Sequence, residues 1–279
     1  MIHTSRQLKA LVRNKSKGDN AKAMTLIRNF AMERLLERIS LSDYSDKLIL
    51  KGGLLIASMV GLDNRATMDM DTTIRNYNLS TEDAKKMMED IIAIPLDDGI
   101  QFTIVSVGSI MDESEYPEIH LKLEAMLDTM KMPLKIDIST DDVITPKEVD
   151  YEYRLMFEER SIPVLAYNLE TVLAEKMETV ISRGILNTRM RDYYDLAILF
   201  VVKSEEINYA DLAKALEATS RKRKSYELLS NAEHILEQIK SDAGLMEQWG
   251  IYRRKYDYAA DYDWEDIIKN VSQLFQKSM

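Results

Sequence analysis

The stretch LILKGGLLIASMVGLDNRATMDMDTTI, residues 48–74, joins an apolar run ending in Lys-Gly-Gly at 51–53 to a short alternating segment that carries Asp69 and Asp71. The run before the glycines has the pattern of a buried strand, and LLIASMVG after them has that of a helix. Two carboxylates one residue apart in a strand repel each other and gain nothing from a core. Their placement therefore points to a role other than packing.

Acidic side chains occur on the polar side of two strand-like segments. If residues 66–74 form a strand, its two-residue period puts Asp69 and Asp71 together on one face. The opposite face of that strand takes Met68, Met70 and Ile74. In LKIDIST, Asp137 likewise points away from the apolar side. Carboxylates are preferred ligands of Mg²⁺, so three aspartates on adjacent strands predict a metal site for in-line phosphoryl or nucleotidyl transfer; solvent-facing strand residues are the alternative.

The glycine pair supplies a complementary feature. A turn through Gly52 and Gly53, between a strand and a helix N-terminus, exposes backbone N–H groups, and the helix dipole favours phosphate there. Taken alone, two glycines are more simply explained by a tight turn. The functional interpretation depends on their position shortly before the Asp-x-Asp segment.

The C-terminal half carries a lysine inside an apolar stripe. In YNLETVLAEKMETVISRG, Lys176 lies among apolar residues at helical spacing. A lysine on a buried face is costly without an anionic partner, so we expect it to reach a triphosphate; snorkelling from the stripe's edge is the alternative. In TRMRDYYDLAILF, Asp192 and Asp195 share one helix face and could meet the same site, although helix capping also explains Asp192.

Composition excludes several classes of protein. The 279 residues suffice for two domains. The net charge of −10 argues against a protein whose whole surface binds polyanions such as nucleic acid. The absence of cysteine excludes disulfides and thiolate metal sites. The start lacks the apolar segment of a signal peptide, and no run reaches the roughly 18 apolar residues of a membrane span. We therefore expect a cytoplasmic protein without membrane contact.

Changes in periodicity divide the chain into parts. Residues 1–40 are predicted to be helical, and they form a basic arm with nine Lys or Arg against three Asp or Glu up to Arg38. From about Lys47 to Thr140, strand and helix patterns alternate. One of these helices, TEDAKKMMEDIIAI, has Ser80 or Thr81 as its predicted N-cap.

After Tyr167 the pattern becomes helical and stays so. We predict an α+β fold with two domains. Residues 1–165 form a mixed sheet with flanking helices and the basic N-terminal arm, and residues 166–279 form a helical domain.

In their order along the chain, these motifs resemble those of the AbiEii/AbiGii-type nucleotidyltransferase toxins, members of the polymerase-β-like nucleotidyltransferase superfamily. LKGGLLIAS with RATMDMD is similar to the glycine loop and Asp-x-Asp motif, KIDI to the Lys-x-Asp motif, LAEKMETVISR to the lysine helix, and RDYYDL to the final acidic motif. The resemblance covers about residues 47–200 and implies a nucleotidyltransferase-type sheet. One departure is the Gly-Gly pair, where superfamily members often have Gly-Ser, so a hydroxyl that could contact phosphate is missing.

The resemblance implies a Mg²⁺-dependent transfer of NMP from an NTP and assigns roles to matching residues. Three aspartates would ligate Mg²⁺ and belong to the catalytic set: Asp69, Asp71 and Asp137. Asp137 would also activate the acceptor hydroxyl. The nucleotide-binding residues would be Lys51, Gly52, Gly53, Lys135 and Lys176. Lys176 would hold the triphosphate as a further catalytic residue, and Asp192 or Asp195 would complete the site.

The family also implies a biological setting. Such proteins are toxins of toxin–antitoxin and phage abortive-infection systems, and they resemble enzymes that transfer nucleotides to RNA, with tRNA the favoured acceptor. The antitoxin typically represses transcription and forms no tight complex. We thus expect NTP, RNA and an antitoxin as partners. A nucleotidyltransferase for a small molecule or protein, and a non-catalytic binding protein of the same fold, are the alternatives.

Three basic clusters are candidates for RNA contact. They are the N-terminal arm, RKRK at 221–224, and WGIYRRKYDYAADYDW at 249–264. The last interleaves cations with tyrosines, a composition that can contact phosphates and stack bases. A helix packing surface with a solvated charged face is the alternative interpretation.

Overall fold

The computed structural model describes residues 1–74, 79–110 and 118–279, which divide into two compact units. The first unit comprises residues 1–58, 66–142 and 149–166, and the second comprises residues 59–65, 143–148 and 167–279. Within the described ranges, no helix is both long and apolar enough to cross a bilayer. The single domain boundary after residue 165 stays a prediction, because short segments on either side of it belong to the other unit.

A seven-stranded mixed sheet forms the first unit's centre. Its strands are β1 (Leu48–Lys51), β2 (Met70–Ile74), β3 (Ile100–Ile110), β4 (Glu118–Leu127), β5 (Met130–Thr140), β6 (Val149–Arg154) and β7 (Ser161–Ala166). Their order is β3-β4-β5-β2-β1-β7-β6, in which β2 with β5 and β1 with β7 run parallel. The β2 strand, which carries Asp71, and the β5 strand, which carries Asp137, are therefore neighbours in the middle of the sheet.

Among its described residues, the first unit contains the starts of four helices: α1 (Ser5–Ser16), α2 (Asn20–Ser40), α3 (Gly52–Val60) and α4 (Thr81–Ile92). The α4 helix starts where the sequence predicts, because the Ser80 side chain accepts a hydrogen bond from the Asp83 N–H at 3.0 Å. The α2 helix packs on β5 and β7, and α4 packs on β3 and β4. The predicted basic arm, residues 1–40, thus consists of α1 and α2.

The β2 strand is shorter than the predicted strand over residues 66–74. It begins at Met70, since β1 ends at Lys51, the ladder partner of Asp71, and the chain of β1 then turns into α3. Residues before Met70 have no strand partner in these ladders, and the two-residue alternation fails there. Met68, predicted on the apolar face, is 39% exposed and contacts the Arg28 guanidinium at 3.2 Å.

The α2 helix buries a carboxyl group. Glu33 is 1% exposed, and its side chain accepts hydrogen bonds from the Met156 N–H at 2.9 Å and the Asn29 amide at 3.2 Å. Burial, which these hydrogen bonds and the nearby Arg34 only partly offset, raises the pKa of Glu33 to about 8. Glu33 is therefore mainly neutral at pH 7.

We expect the protein to lose stability as the pH rises from about 5 to about 9. The folded pKa of Glu33, about 8, exceeds the ordinary value of 4.5, so its contribution is full below pH 4.5 and is lost as pH rises through 8. Glu33→Gln stays neutral and can still accept from Met156, so it should remove this loss. Thermal midpoints of wild type and variant should agree near pH 5 and differ by several degrees near pH 9.

Glu37→Gln is the matched control on the same helix. Glu37 accepts two hydrogen bonds from Arg160, at 2.7 and 2.9 Å, and pairs with Arg34 at 2.9 Å. Its loss should destabilise the protein at every pH in this range. If the thermal midpoints of wild type and Glu33→Gln differ by the same amount at every pH, Glu33 is not neutral in the folded protein.

Six helices form most of the second unit: α5 (Leu169–Arg183), α6 (Met190–Lys203), α7 (Tyr209–Lys222), α8 (Ala232–Ser241), α9 (Ala243–Lys255) and α10 (Trp264–Ser278). The α5 helix packs against α6 and α7, while α10 packs against α6, α7 and α8. The Asn168 side chain accepts from the Thr171 N–H at 2.7 Å and fixes the start of α5. This unit agrees with the predicted helical C-terminal half.

Candidate active site

A row of polar side chains crosses the sheet of the first unit, one from each of four neighbouring strands. Asp71 of β2 is paired with Asp137 of β5, and Lys51 of β1 lies opposite Asp71. On the far side of Asp137, its ladder partner is His120 of β4. Side chains at directly paired positions project from the same face of a sheet. These four residues form one line, called the polar row below.

Two basic side chains hold Asp137 within the polar row. Asp137 is 7% exposed; its Oδ1 contacts His120 Nδ1, and its Oδ2 accepts a hydrogen bond from Lys135 Nζ at 2.7 Å. The hydrogen bond to Asp137 raises the pKa of Lys135, as does the charge of nearby Asp69. The carboxylate of Asp137 consequently has a fixed orientation.

Asp71 is in contact with the glycine turn. Its Oδ2 accepts a hydrogen bond from the Gly53 N–H at 3.2 Å. Gly52 has φ of 65°, and a Cβ there would overlap Asp71 Oδ2 and lie 2.7 Å from its Cγ. Only glycine accommodates both the backbone conformation and this close approach. The turn and the Asp-x-Asp strand are thus packed directly on each other.

Asp69 lies just before β2 and is half-buried. Its backbone carbonyl accepts a hydrogen bond from Thr67 Oγ1 at 3.2 Å, and its charge acts on the Lys135 ammonium. Asp69 is therefore on the side of the sheet where Lys135 meets Asp137, although it is not part of a strand.

Sequence reasoning missed three residues around the polar row: His120, Glu118 and Asp142. Glu118 Oε2 lies 3.9 Å from His120 Nε2. Burial raises the pKa of Glu118, and the charges of Asp137 and Asp71 add to the effect. Asp142 accepts hydrogen bonds from Lys51 Nζ and from Ser139 Oγ, both at 2.6 Å. The row is thus flanked by further acids.

The donor set fits a divalent cation. Asp71 and Asp137 place hard oxygen ligands at adjacent positions on one face, and Asp69 is two residues from Asp71. Across the described ranges, no three acidic or histidine side chains are gathered closely enough to form a complete metal site. One or two carboxylates that share the ion with substrate phosphates are the usual arrangement for Mg²⁺, so this geometry is compatible with such a site.

The second unit contains a buried cluster of alternating charges. Lys176 Nζ of α5 lies 2.8 Å from Asp195 Oδ2 and 3.1 Å from Asp192 Oδ1 of α6. Arg65 binds the Asp195 carboxylate through Nε at 2.6 Å and through a terminal nitrogen at 3.1 Å. Arg189 Nε reaches Asp192 at 3.1 Å. We call these five residues the ion cluster; Arg65 was not among the predicted site residues.

The charges of the ion cluster stabilise one another. Burial opposes ionisation of Asp195, but Arg65 and Lys176 outweigh it and lower the pKa of Asp195 to about 2. Burial also disfavours the Lys176 ammonium, yet Asp195 and then Asp192 raise its pKa. Lys176 therefore stays charged inside a largely buried helix contact.

The predicted site residues fall into two groups, one in each unit. The first unit holds Lys51, Gly52, Gly53, Asp69, Asp71, Lys135 and Asp137. The second unit holds Lys176, Asp192 and Asp195.

Comparison with known proteins gives one family match. The model of the family described as "Nucleotidyl transferase AbiEii toxin, Type IV TA system" matches residues 34–270. No curated protein sequence matches the chain.

Among solved structures, JHP933 from Helicobacter pylori is similar at a TM-score of 0.50 and 18% identity, with 90% of each chain covered. A candidate nucleotidyltransferase from H. pylori gives a TM-score of 0.49 and 18% identity over 90% of this chain and 93% of that one. An antigenic nucleotidyltransferase-like protein from Paracoccidioides brasiliensis gives 0.38 and 15% over 82% and 93%. At such identities the likeness to JHP933 concerns the fold alone, and the other two superpositions are looser.

Proposed function

Because the chain belongs to the AbiEii family of nucleotidyltransferase toxins of type IV toxin–antitoxin systems, we propose that it transfers NMP from an NTP to an RNA acceptor. The family establishes a nucleotidyltransferase with an antitoxin partner and an NTP substrate. The finer proposal is that Mg²⁺ assists the transfer and that tRNA is the acceptor. The antitoxin would act mainly as a transcriptional repressor without a tight complex, and the toxin would serve phage defence in the cytoplasm.

The pairing of Asp71 with Asp137 beside the glycine turn is the observation that supports this proposal best. Like charges at directly paired strand positions are destabilising unless a cation lies nearby. The N-terminus of α3, at Gly52 and Gly53, is also suited to an anion because of its dipole and its backbone N–H groups, of which that of Gly53 already donates to the Asp71 carboxylate. Carboxylates for a metal and a helix N-terminus for phosphate are what a bound metal–nucleotide needs.

In the proposed mechanism, Asp137 takes the proton of the acceptor hydroxyl. The hydroxyl oxygen bonds to the α-phosphorus, and the bond from that phosphorus to the pyrophosphate oxygen breaks. His120 holds the Asp137 carboxylate in place through its Nδ1 contact. Lys135, 44% exposed, can turn from Asp137 to a phosphate. When bound, Mg²⁺ would be held by Asp71 and Asp137 together with substrate phosphates, with Asp69 as the proposed third ligand, and would neutralise phosphate charge.

Lys176 is proposed to stabilise the charge of the triphosphate and of the leaving pyrophosphate. Its raised pKa keeps it cationic, as this role requires. We assign to Asp195 the positioning of Lys176, because Arg65 fixes the same carboxylate from its other side. Asp192, which contacts Lys176 at 3.1 Å, would complete the site.

The test is a labelling experiment with the purified full chain. It is incubated with Mg²⁺, total tRNA and each α-labelled NTP in turn, with EDTA as the metal control. We expect label on the RNA with at least one NTP, and none in EDTA. Label on the protein, or on nothing with all four nucleotides, would overturn the RNA-acceptor proposal. Transfer that persists in EDTA would overturn the role of Mg²⁺.

A further inference from the structure

Three tyrosines form a half-exposed shelf at the end of α9. Tyr252, Tyr256 and Tyr258 are each partly exposed. The ring centroids of Tyr252 and Tyr256 are 4.7 Å apart, and those of Tyr256 and Tyr258 are 5.3 Å apart with the planes at 24°. The hydroxyls of Tyr252 and Tyr258 share a hydrogen bond of 2.9 Å. We call these residues the tyrosine shelf.

Buried aromatic side chains support the tyrosine shelf from below. Tyr194 of α6 lies 5.0 Å from Tyr258, and Trp249 lies 5.4 Å from Tyr252, centroid to centroid. Both Tyr194 and Trp249 are almost fully buried. The Tyr194 hydroxyl donates to the Tyr258 carbonyl at 3.1 Å. This packing explains part of the aromatic composition, and it also fixes the shelf as a rigid platform.

Three cations lie on the two helices that carry or support the shelf, Arg191 on α6 and Arg254 and Lys255 on α9. The Arg191 guanidinium lies 6.0 Å and the Lys255 ammonium 5.3 Å from the Tyr256 centroid. Arg254, in the same last turn of α9, is exposed. In the described part of the chain, none of the three forms an ion pair. Their positive charge therefore remains available in a protein whose net charge is −10.

The other two basic clusters lack this combination. In the run at 221–224, Arg221 pairs with Glu217 at 2.8 Å, and Arg223 pairs with Glu178 at 2.7 Å and Glu175 at 3.0 Å. The α1 part of the basic arm contains no aromatic residue. The positive charge of Arg221 and Arg223 is thus largely neutralised by these carboxylates, and α1 offers no ring on which a base could stack.

The tyrosine shelf borders the ion cluster within the second unit. Tyr194, which supports the shelf, directly precedes Asp195 on α6. The charges of Arg65 and Asp195 also act on the Tyr252 and Tyr258 hydroxyls, whose pKa values are raised mainly by burial. A strand lying on the shelf would thus run beside the lysine proposed to bind the triphosphate.

We propose that the tyrosine shelf, with Arg191, Arg254 and Lys255, binds the single-stranded end of the RNA acceptor. A base would stack on the shelf at Tyr256, and the cations would contact the adjoining phosphates. Stacking accepts any base, and contacts to phosphates are independent of sequence. This surface would therefore position the RNA end, and other contacts would select the RNA. This inference rests on the proposed function in taking RNA as the acceptor.

The test measures RNA binding without NTP, by fluorescence anisotropy of a labelled single-stranded RNA of about ten nucleotides. Tyr256→Ala should weaken the Kd about tenfold, whereas Tyr256→Phe, which keeps the ring, should stay within about twofold. Arg254→Gln with Lys255→Gln should reduce the slope of log K against log salt by about 1.4. The matched control is Arg221→Gln with Tyr226→Ala, which removes a cation–ring pair of 3.8 Å elsewhere and should leave binding unchanged.

The outcomes separate this inference from the proposed function. Equal binding by wild type and Tyr256→Ala would overturn the shelf and leave RNA transfer intact. The base that stacks on the shelf could instead belong to the NTP, which equilibrium dialysis with labelled NTP tests. If Tyr256→Ala binds NTP more weakly than wild type but binds RNA equally well, the shelf is a nucleotide site and the inference is overturned. Wild type that neither binds RNA nor labels it would overturn both proposals. Parallel loss of binding by Tyr256→Phe and Tyr256→Ala would exclude ring stacking as the cause.

Discussion

Replacing Asp137 by asparagine should reduce NMP transfer by about 10³-fold while leaving the protein folded. Asparagine has the same shape, and its oxygen can still accept from one of the two basic partners, His120 or Lys135, so the sheet should stay folded. It cannot take the proton of the acceptor hydroxyl, and it offers a metal no negative charge. Because this loss concerns the transition state, we expect kcat to fall far more than KM changes. Steady-state rates with NTP and RNA, with a thermal melt alongside, measure both effects.

Asp150→Asn is the control for the Asp137 variant. Asp150 lies on β6 of the same sheet, is exposed, and is outside the polar row. It should transfer at the wild-type rate and melt at the wild-type temperature. An Asp137→Asn protein that keeps more than about a tenth of the wild-type kcat would rule out Asp137 as the base.

Gly52→Ala should destabilise the protein and remove most of its activity. An L-residue at a φ of 65° costs about 1–2 kcal/mol, and a methyl group there would collide with the Asp71 carboxylate. Together we expect a loss of about 3 kcal/mol in the free energy of unfolding. The displaced Asp71 would no longer face Asp137 in its present orientation. Urea unfolding and single-turnover transfer report the two losses.

Two further variants separate backbone strain from collision. Gly18 has a φ of 89° with nothing within 4 Å of an added Cβ, so Gly18→Ala should cost about 1 kcal/mol and leave transfer unchanged. Gly52→Ala combined with Asp71→Gly removes the collision partner, including the Asp71 Cβ that would lie 2.7 Å from the added methyl group, and should be more stable than Gly52→Ala alone. A double variant as unstable as the single one would show that the contact with Asp71 is not the cause.

Much of the architecture could be predicted because it is encoded locally. The glycine turn between β1 and α3, the Ser80 cap and the C-terminal helices follow from short-range patterns. The start of β2 could not be predicted this way, because β1 ends beside Asp71 and the chain before Met70 does not join the sheet, although β5 continues to Met130. The β6 and β7 strands were also missed, although VDYEYR of β6 alternates apolar and polar residues as a strand does, whereas SIPVLA of β7 is interrupted by Pro163.

The polar row needs long-range pairing, which one sequence reveals only in part. His120 could have been found: Leu127 pairs with Met130 across a two-residue turn, and counting back along both strands leads to His120 beside Asp137. The parallel pairing of Asp71 with Asp137 has no such turn to set its register. For Lys176, the sequence indicated that an anionic partner was needed, but Arg65 as the second cation on Asp195 lies too far along the chain to be inferred.

The parallel β2–β5 pair also has a consequence for the timing of synthesis. The chain between these strands includes α4, β3 and β4, so no local hairpin can bring Asp71 to Asp137. A nascent chain that has just made β2 carries Asp69 and Asp71 without the third carboxylate. The ribosome must first release β5, and prematurely terminated products that end before Met130 lack part of the row. A cell that synthesises this toxin thus meets the assembled carboxylates only after about half of the chain has been made.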